Sequence, residues 1–360
     1  MRLFKVNILM KNKINKNKSF IKKIFVKLIR KFGYEIIDQS NLTLPDENLY
    51  VGKNLSKGGV KSITIPLGET SITRVVESIT IIIRSYTFGD INNNQVMLDQ
   101  NKKRIFEFPK EEYTFRTINS VVKSCQYAKK IFKNIKFKII ITDDKSKIEI
   151  INKINSILKN NEIEYEIIKL RDDEFLDIIE KTDTDGKEIS KNMISNMRNN
   201  YKSFELVENE NSDLFYILED DYVHEKIAIT EMLFAYEKLC SQLNKEIFLC
   251  PSDYPYLYSN IDNTSIYFGN KRHWRKISET LNTFLSSKKM LLKHMKELKK
   301  MCTKRHHPME KKLHEIYEKE TCLSPIPSLA MHCSNVNTMY GIPPNFDWKK
   351  VWDENEVNFI

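Results

Sequence analysis

Beyond residue 70 the chain alternates between apolar runs of strand length and longer segments with helical spacing. SITIIIRSYT (78–87), FKIIITDDKS (137–146), IEYEIIKL (163–170) and DLFYILEDD (213–221) predict four strands. TINSVVKSCQYAKKIF (117–132), IEIINKINSILKN (148–160), ISKNMISNMRNNYKSFELV (189–207) and EKIAITEMLFAYEKL (225–239) predict four helices. In the first of these, Ile118, Val121, Val122, Cys125, Ala128 and Ile131 share one face. Near-continuous apolar strands separated by helices predict an α/β fold, with a mostly parallel sheet and helices on both faces. Ligands of such sheets bind beyond the carboxyl ends of the strands. Arg84, Asp143, Asp144, Glu219, Asp220 and Asp221 all fall there.

A different pattern precedes this region. In KSFIKKIFVKLIRKFG (18–33), Phe20, Ile21, Ile24, Phe25, Leu28, Ile29 and Phe32 fall on one helical face. Lys22, Lys23, Lys27, Arg30 and Lys31 take the other, Ser19 can cap the start, and Gly33 can end the helix. The lysines interrupt any span of about 18 apolar residues and any secretory core. The helix suits an anionic membrane surface, the protein's own body or, less well, a mitochondrial presequence. Residues 34–70 read as a leading linker, with Pro45, Gly52, Gly58 and Gly59 inside it. Residues 71–360 then form the main domain, with halves of about 71–225 and 226–350.

Charge narrows the choice of partner. The net charge is +10, but residues 1–33 hold eleven Lys or Arg and no Asp or Glu. Removing those eleven from 58 leaves 47 basic against 48 acidic residues, so the body is neutral. That argues against nucleic acid as a partner of the body. The six cysteines form no CxxC pair, which fits reduced structural thiols in a cytoplasmic protein, peripheral at most on the inner face of a membrane.

The stretch YILEDDYVHEK (216–226) runs from a strand straight into Glu219, Asp220 and Asp221. Three adjacent carboxylates repel one another and are costly to bury unpaired. They therefore sit in water or hold something positive. On an extended strand, residues 219 and 221 point the same way, so Glu219 and Asp221 would face one ligand. Mn²⁺ or Mg²⁺, shared with substrate phosphates, matches that chemistry. No GxGxxG or GxxxxGK[ST] cradle is present to take the phosphates instead.

The order of these segments resembles the nucleotide-sugar half of GT-A fold glycosyltransferases. ITDDKS is similar to their second-strand segment, and LEDDY to their Asp-x-Asp motif with Glu219 in the first position. The resemblance covers about residues 75–350. It implies a nucleoside-diphosphate sugar as donor and a saccharide or glycolipid as acceptor. It implies Arg84, Asp143, Asp144, Glu219 and Asp220 as donor contacts, and Asp221, Glu219 and His332 as metal ligands. Glu310 is implied as the base, with Asp253 competing for that role. Trp274, Arg275 and Tyr254 are expected at the acceptor, together with Tyr256 and Tyr258. The bland readings are N-cap and turn chemistry for Asp143 and Asp144, a core histidine for His332, and first-turn placement for Glu310. Rival functions are a nucleotidyltransferase and a non-catalytic carbohydrate- or membrane-binding protein on a transferase fold.

Overall fold

The structure, a computed structural model, describes residues 20–34, 62–65, 68–87, 105–159, 161–259, 264–334 and 336–359. The linker expected around Pro45, Gly52, Gly58 and Gly59, and the cap expected at Ser19, lie outside the described residues. The chain divides into two compact units, Met1–Asn48 and Leu49–Ile360. In the first, α1 (Phe20–Lys31) ends at Gly33, whose φ of 83° lets its N–H and that of Tyr34 reach back to the carbonyls of Arg30 and Ile29.

The second unit opens with a hairpin, β1 (Ser62–Ile65) and β2 (Gly68–Ser71). Alternation follows through β3 (Ser78–Ser85), α2 (Lys110–Ile131), β4 (Lys136–Asp143), α3 (Ile148–Lys159), β5 (Glu164–Lys169), α4 (Lys191–Asn209) and β6 (Leu214–Glu219). The chain continues through β7 (Tyr222–His224), α5 (Ala228–Leu243), β8 (Phe248–Leu249), β9 (Ile266–Phe268), β10 (His273–Ile277) and β11 (Phe284–Ser287). It closes with α6 (Lys288–Lys293), α7 (Met295–Thr303), α8 (Lys311–Tyr317), β12 (Cys322–Ile326), β13 (Ala330–His332) and α9 (Trp348–Glu354).

Nine strands form one sheet in the order β5-β4-β3-β6-β11-β8-β12-β10-β9. The first four are mutually parallel, as their apolar runs predict. Ile79, Ile81, Ile82 and Ile83 of the central strand β3 are wholly buried, so both faces of that strand are covered. Helices α2, α3 and α5 pack together, as do α4, α6, α7 and α8. The other half of the sheet is mixed: β11 is antiparallel to both neighbours, β8 and β12 pair parallel, and β10 is antiparallel to β12 and β9. The architecture is of the α/β class expected from the sequence, with parallel pairing confined largely to its first half.

Two boundaries differ from expectation, and one matters for chemistry. The strand read over 213–221 ends at Glu219, Asp220 and Asp221 make a turn, and β7 pairs with β13 in a separate antiparallel ribbon. Tyr222 and Val223 are as apolar as a strand continuing into the core, so alternation alone hides the break. The other boundary is the start of α2, which lies at Lys110, directly after Pro109, with Glu111 and Glu112 in the first turn where the helix dipole favours acids.

His224 is a titratable group of the core. His224 is fully buried, with Nε2 2.6 Å from the Tyr216 hydroxyl and Nδ1 3.4 Å from Ser120 Oγ. Burial holds its pKa down to about 3, against an ordinary 6.5. The unfolded chain therefore binds a proton here that the folded one refuses, between about pH 6.5 and pH 3. Stability from this group is complete above that window and falls as the pH drops through it, by up to about 1.4 kcal/mol per pH unit. Denaturant titrations between pH 7 and pH 4 are expected to show that slope in the native chain and a shallower one in His224→Gln.

Candidate active site

The carboxyl ends of β3, β4 and β6 bring six sequence-selected residues to one rim. Arg84 and Glu219 are register partners on adjacent parallel strands, and Arg84 Nη2 lies 3.2 Å from Glu219 Oε1. The guanidinium also donates to the Asn282 carbonyl at 3.1 Å and to Asn196 Oδ1 at 3.4 Å. Asn200 joins this frame, donating to Asn196 Oδ1 at 2.6 Å and accepting from the Asn282 amide. On β4, Asp143 Oδ2 accepts the Ser146 N–H at 3.1 Å. Asp144 Oδ2 accepts from the Ser195 hydroxyl and stands 3.4 Å from Arg198 Nη1. Burial pushes the Asp143 pKa above the ordinary carboxylate value, and Asp144 adds a smaller repulsion.

Much of this rim's polar capacity is unused. Among the described residues, Arg84 Nε, Asp144 Oδ1, Glu219 Oε2 and Asn282 Oδ1 are buried without a hydrogen-bond partner, while the buried Ser85 hydroxyl stands close enough to Asp143 to oppose the rise in its pKa. Six other side-chain atoms of the described residues share that condition, three of them at Arg272, Trp274 and Arg275 on or beside β10. A buried polar atom left unpaired costs about 1–3 kcal/mol. The rim atoms gather near the point where the strand order reverses, between β3 and β6.

The acidic triplet separates into three roles. Asp220 turns inward: its carboxylate meets Lys110 Nζ at 2.6 Å, Thr114 Oγ1 at 3.0 Å and the Tyr86 N–H at 3.2 Å. That saturated, buried carboxylate clamps the first turn of α2 and corrects the expectation of a donor contact. Asp221 lies beside β13, where the β7–β13 register carries His332 next to it. Asp221 Oδ2 accepts from Ser334 Oγ at 2.7 Å and lies 3.4 Å from His332 Nε2. Its pKa falls well below the carboxylate range because His332 and Lys110 attract the charge more than burial opposes it. Glu219 does not share a ligand set with Asp221: the strand stops at 219, so the two-residue alternation assumed for the triplet no longer applies.

His332 has the second contact that a metal ligand needs. Its Nδ1 is 3.1 Å from the Tyr340 carbonyl, which can only accept, so Nδ1 carries a proton. Nε2 then faces the Asp221 carboxylate either as part of an imidazolium or with its lone pair directed toward a shared cation. The ring stacks on Tyr222 with centroids 4.9 Å apart. Tyr222 Oη meets Tyr254 Oη at 2.6 Å, and Tyr254 and Tyr256 both pack against Tyr340. Glu279 accepts from Tyr340 Oη at 3.0 Å. Glu310, at the start of α8, is half-buried and close enough to help raise the Tyr340 phenol pKa, after burial and Glu279.

The expected acceptor residues are corrected by burial. Trp274 is 0% exposed and packs against Gly269, where an added Cβ would come within 2.5 Å of the indole Nε1. Tyr254 is equally enclosed, so neither ring can stack on a sugar. The buried Arg275 binds Asp253, which also accepts from the Tyr258 hydroxyl. Burial raises the Asp253 pKa, while Tyr258 and Arg275 oppose that shift. An enclosed and doubly engaged carboxylate is not placed to take a proton from an acceptor, and Asp253 is corrected to a fold element. All six cysteines are free and buried, as their apolar sequence surroundings suggest.

The sequence reading missed Lys110, Ser334 and the Asn196–Asn200–Asn282 frame. It also passed over Asp183-Thr184-Asp185, a literal Asp-x-Asp between β5 and α4. There the ligand atoms of buried Asp183 and exposed Asp185 and His307 all lie within 4.8 Å of one another, a group that could hold a metal ion. Asp183 accepts from the Asp185 and Lys187 N–H groups at 2.9 Å and stands 2.8 Å from His307 Nε2; the His307 contact, foremost, holds its pKa at about 2.

No family model matches the chain, and no curated protein matches it. Solved structures give fold-level likenesses. The S. aureus TarS 1–349 structure is 9% identical, with a TM-score of 0.33, over 61% of this chain and 49% of that one. This chain thus spans about half the length of that structure. The UTP-bound UGPase from Acinetobacter baumannii is 11% identical, with a TM-score of 0.38, over 72% and 89%. Core-mannan synthase A from Aspergillus fumigatus is 8% identical, with a TM-score of 0.31, over 69% and 67%.

Proposed function

We propose that the chain is a glycosyltransferase that takes a sugar from a nucleoside-diphosphate sugar and moves it to a saccharide or lipid-linked acceptor. The observation that carries this reading is the cluster of buried, unpartnered polar atoms at the ends of β3, β4 and β6. Asp143 and Asp144, 1% and 0% exposed, would meet the base or ribose hydroxyls only once the rim opens locally. Arg84 Nε has its N–H left to donate. Asp221 and His332 would hold Mn²⁺ or Mg²⁺, whose charge stabilises a departing diphosphate. Glu310 is our candidate for the base that takes the acceptor hydroxyl's proton.

Calorimetric titration with UDP, GDP, CDP and dTDP, in Mn²⁺ or in EDTA, tests the donor. One nucleotide is expected to bind, and only with metal. A folded chain that binds none of them overturns the reading. Release of pyrophosphate from a nucleoside triphosphate and a sugar 1-phosphate would instead identify the nucleotidyltransferase rival. Glu310→Gln is expected to lower kcat by about 10²–10⁴-fold with nucleotide affinity unchanged. A mutant kcat within threefold of native, measured with the donor so identified, would remove Glu310 from the role.

A further inference from the structure

We propose that α1 lies in the headgroup layer of an anionic membrane. Its apolar stripe would face the acyl boundary, and its basic arc the lipid phosphates. The proposal goes beyond the transferase reading and stands without it. Ile24, Phe25, Leu28 and Phe32 are 52%, 54%, 52% and 69% exposed, an unusual condition for four large apolar side chains on one short helix. At 100° per residue, positions 20, 21, 24, 25, 28, 29 and 32 span one half of the helix circumference; 22, 23, 27 and 30 fall in the other half, and 31 falls just inside the edge of the first. Lys27 and Lys31 flank one edge of the stripe by that geometry, where long basic side chains reach up to the phosphate level. Residues 1–33 add no carboxylate to weaken the field.

The combination selects the occupant. Nucleic acid or an acidic glycan would use the basic arc and leave the phenylalanines in water. A neutral apolar groove would use the stripe and offer nothing to the basic arc. An anionic lipid surface takes both. No helix among the described residues is long and apolar enough to cross a membrane, and α1, at 12 residues, is suited to lie along one.

Flotation of the full chain with phosphatidylcholine vesicles, with and without phosphatidylglycerol, tests this. Binding is expected only to the anionic vesicles and is expected to weaken as salt rises. Lys27→Glu with Arg30→Glu should lower vesicle affinity by roughly 10–100-fold. Phe25→Asp with Leu28→Asp should abolish binding although the basic residues remain. Both double variants should keep the native thermal unfolding profile. The proposal is overturned if the full chain stays with the aqueous fraction, or if it binds neutral vesicles equally well. It is also overturned if the Phe25→Asp, Leu28→Asp variant floats normally, or if that variant lowers Tm without changing flotation, which would place the stripe against protein.

Discussion

Asp221→Asn is expected to abolish metal-dependent nucleotide binding and to lower turnover by about 10²–10³-fold. The substitution removes the one charge of the triplet that meets His332, yet it keeps much of the local packing. Asn can still accept from Ser334 Oγ, and the Cys333 N–H bonds to the residue 221 backbone carbonyl, which is unchanged. His332→Ala should reproduce the loss of metal dependence while leaving the Asp221 carboxylate in place. Calorimetry with Mn²⁺ and the bound nucleotide, beside a thermal scan of each variant, reads the two effects separately. If Asp221→Asn lowers Tm but leaves metal-dependent binding intact, the pair is a buried ion pair of the fold. Asp185→Asn would then be the next variant, because the Asp183, Asp185 and His307 group is the other place where ligand atoms converge.

What was legible in the sequence depended on periodicity. Four apolar strands and their helices could be read because β-branched runs such as Ile81–Ile83 belong in a sheet covered on both faces. The Asp221–His332 pairing was legible only through resemblance: 111 positions separate the two, and β7–β13 pairing, which no local pattern signals, closes the gap. Trp274 and Tyr254 were misplaced for the converse reason. KRH before Trp274 reads as a surface, but β10 lies between β12 and β9, and this turns the indole into the core while His273 and Lys276 stay outside. Lys110 was invisible because it opens a charged first turn, KEEYTFR, where a buried lysine has no distinguishing neighbour. The Asn frame around Arg84 was missed because Asn is abundant throughout the chain, so its positions carried no contrast.

Lys110→Met is expected to cost about 3–5 kcal/mol of stability, because it leaves Asp220 buried beside only two neutral donors. The native pair is enclosed on both sides, with side chains 9% and 8% exposed, and Lys110 is the cation nearest the Asp220 carboxylate at 2.6 Å. Thr114 and the Tyr86 N–H satisfy the other oxygen but supply no charge. Removing both members should be less damaging than removing one. Lys110→Met with Asp220→Leu is expected to recover most of the loss, since desolvation of two ions offsets much of their attraction. Denaturant midpoints at unchanged slope would measure the cycle. The double variant also isolates a functional coupling. Lys110 helps hold the Asp221 pKa down, so removing it should raise the pH at which metal-dependent nucleotide binding is lost on acidification, even where stability is restored. A double variant that is stable but binds metal and nucleotide with the native pH dependence would confine Lys110 to the clamp on α2. A shifted profile would make the same lysine part of the site's electrostatics, linking the acid that clamps α2 to the one beside His332.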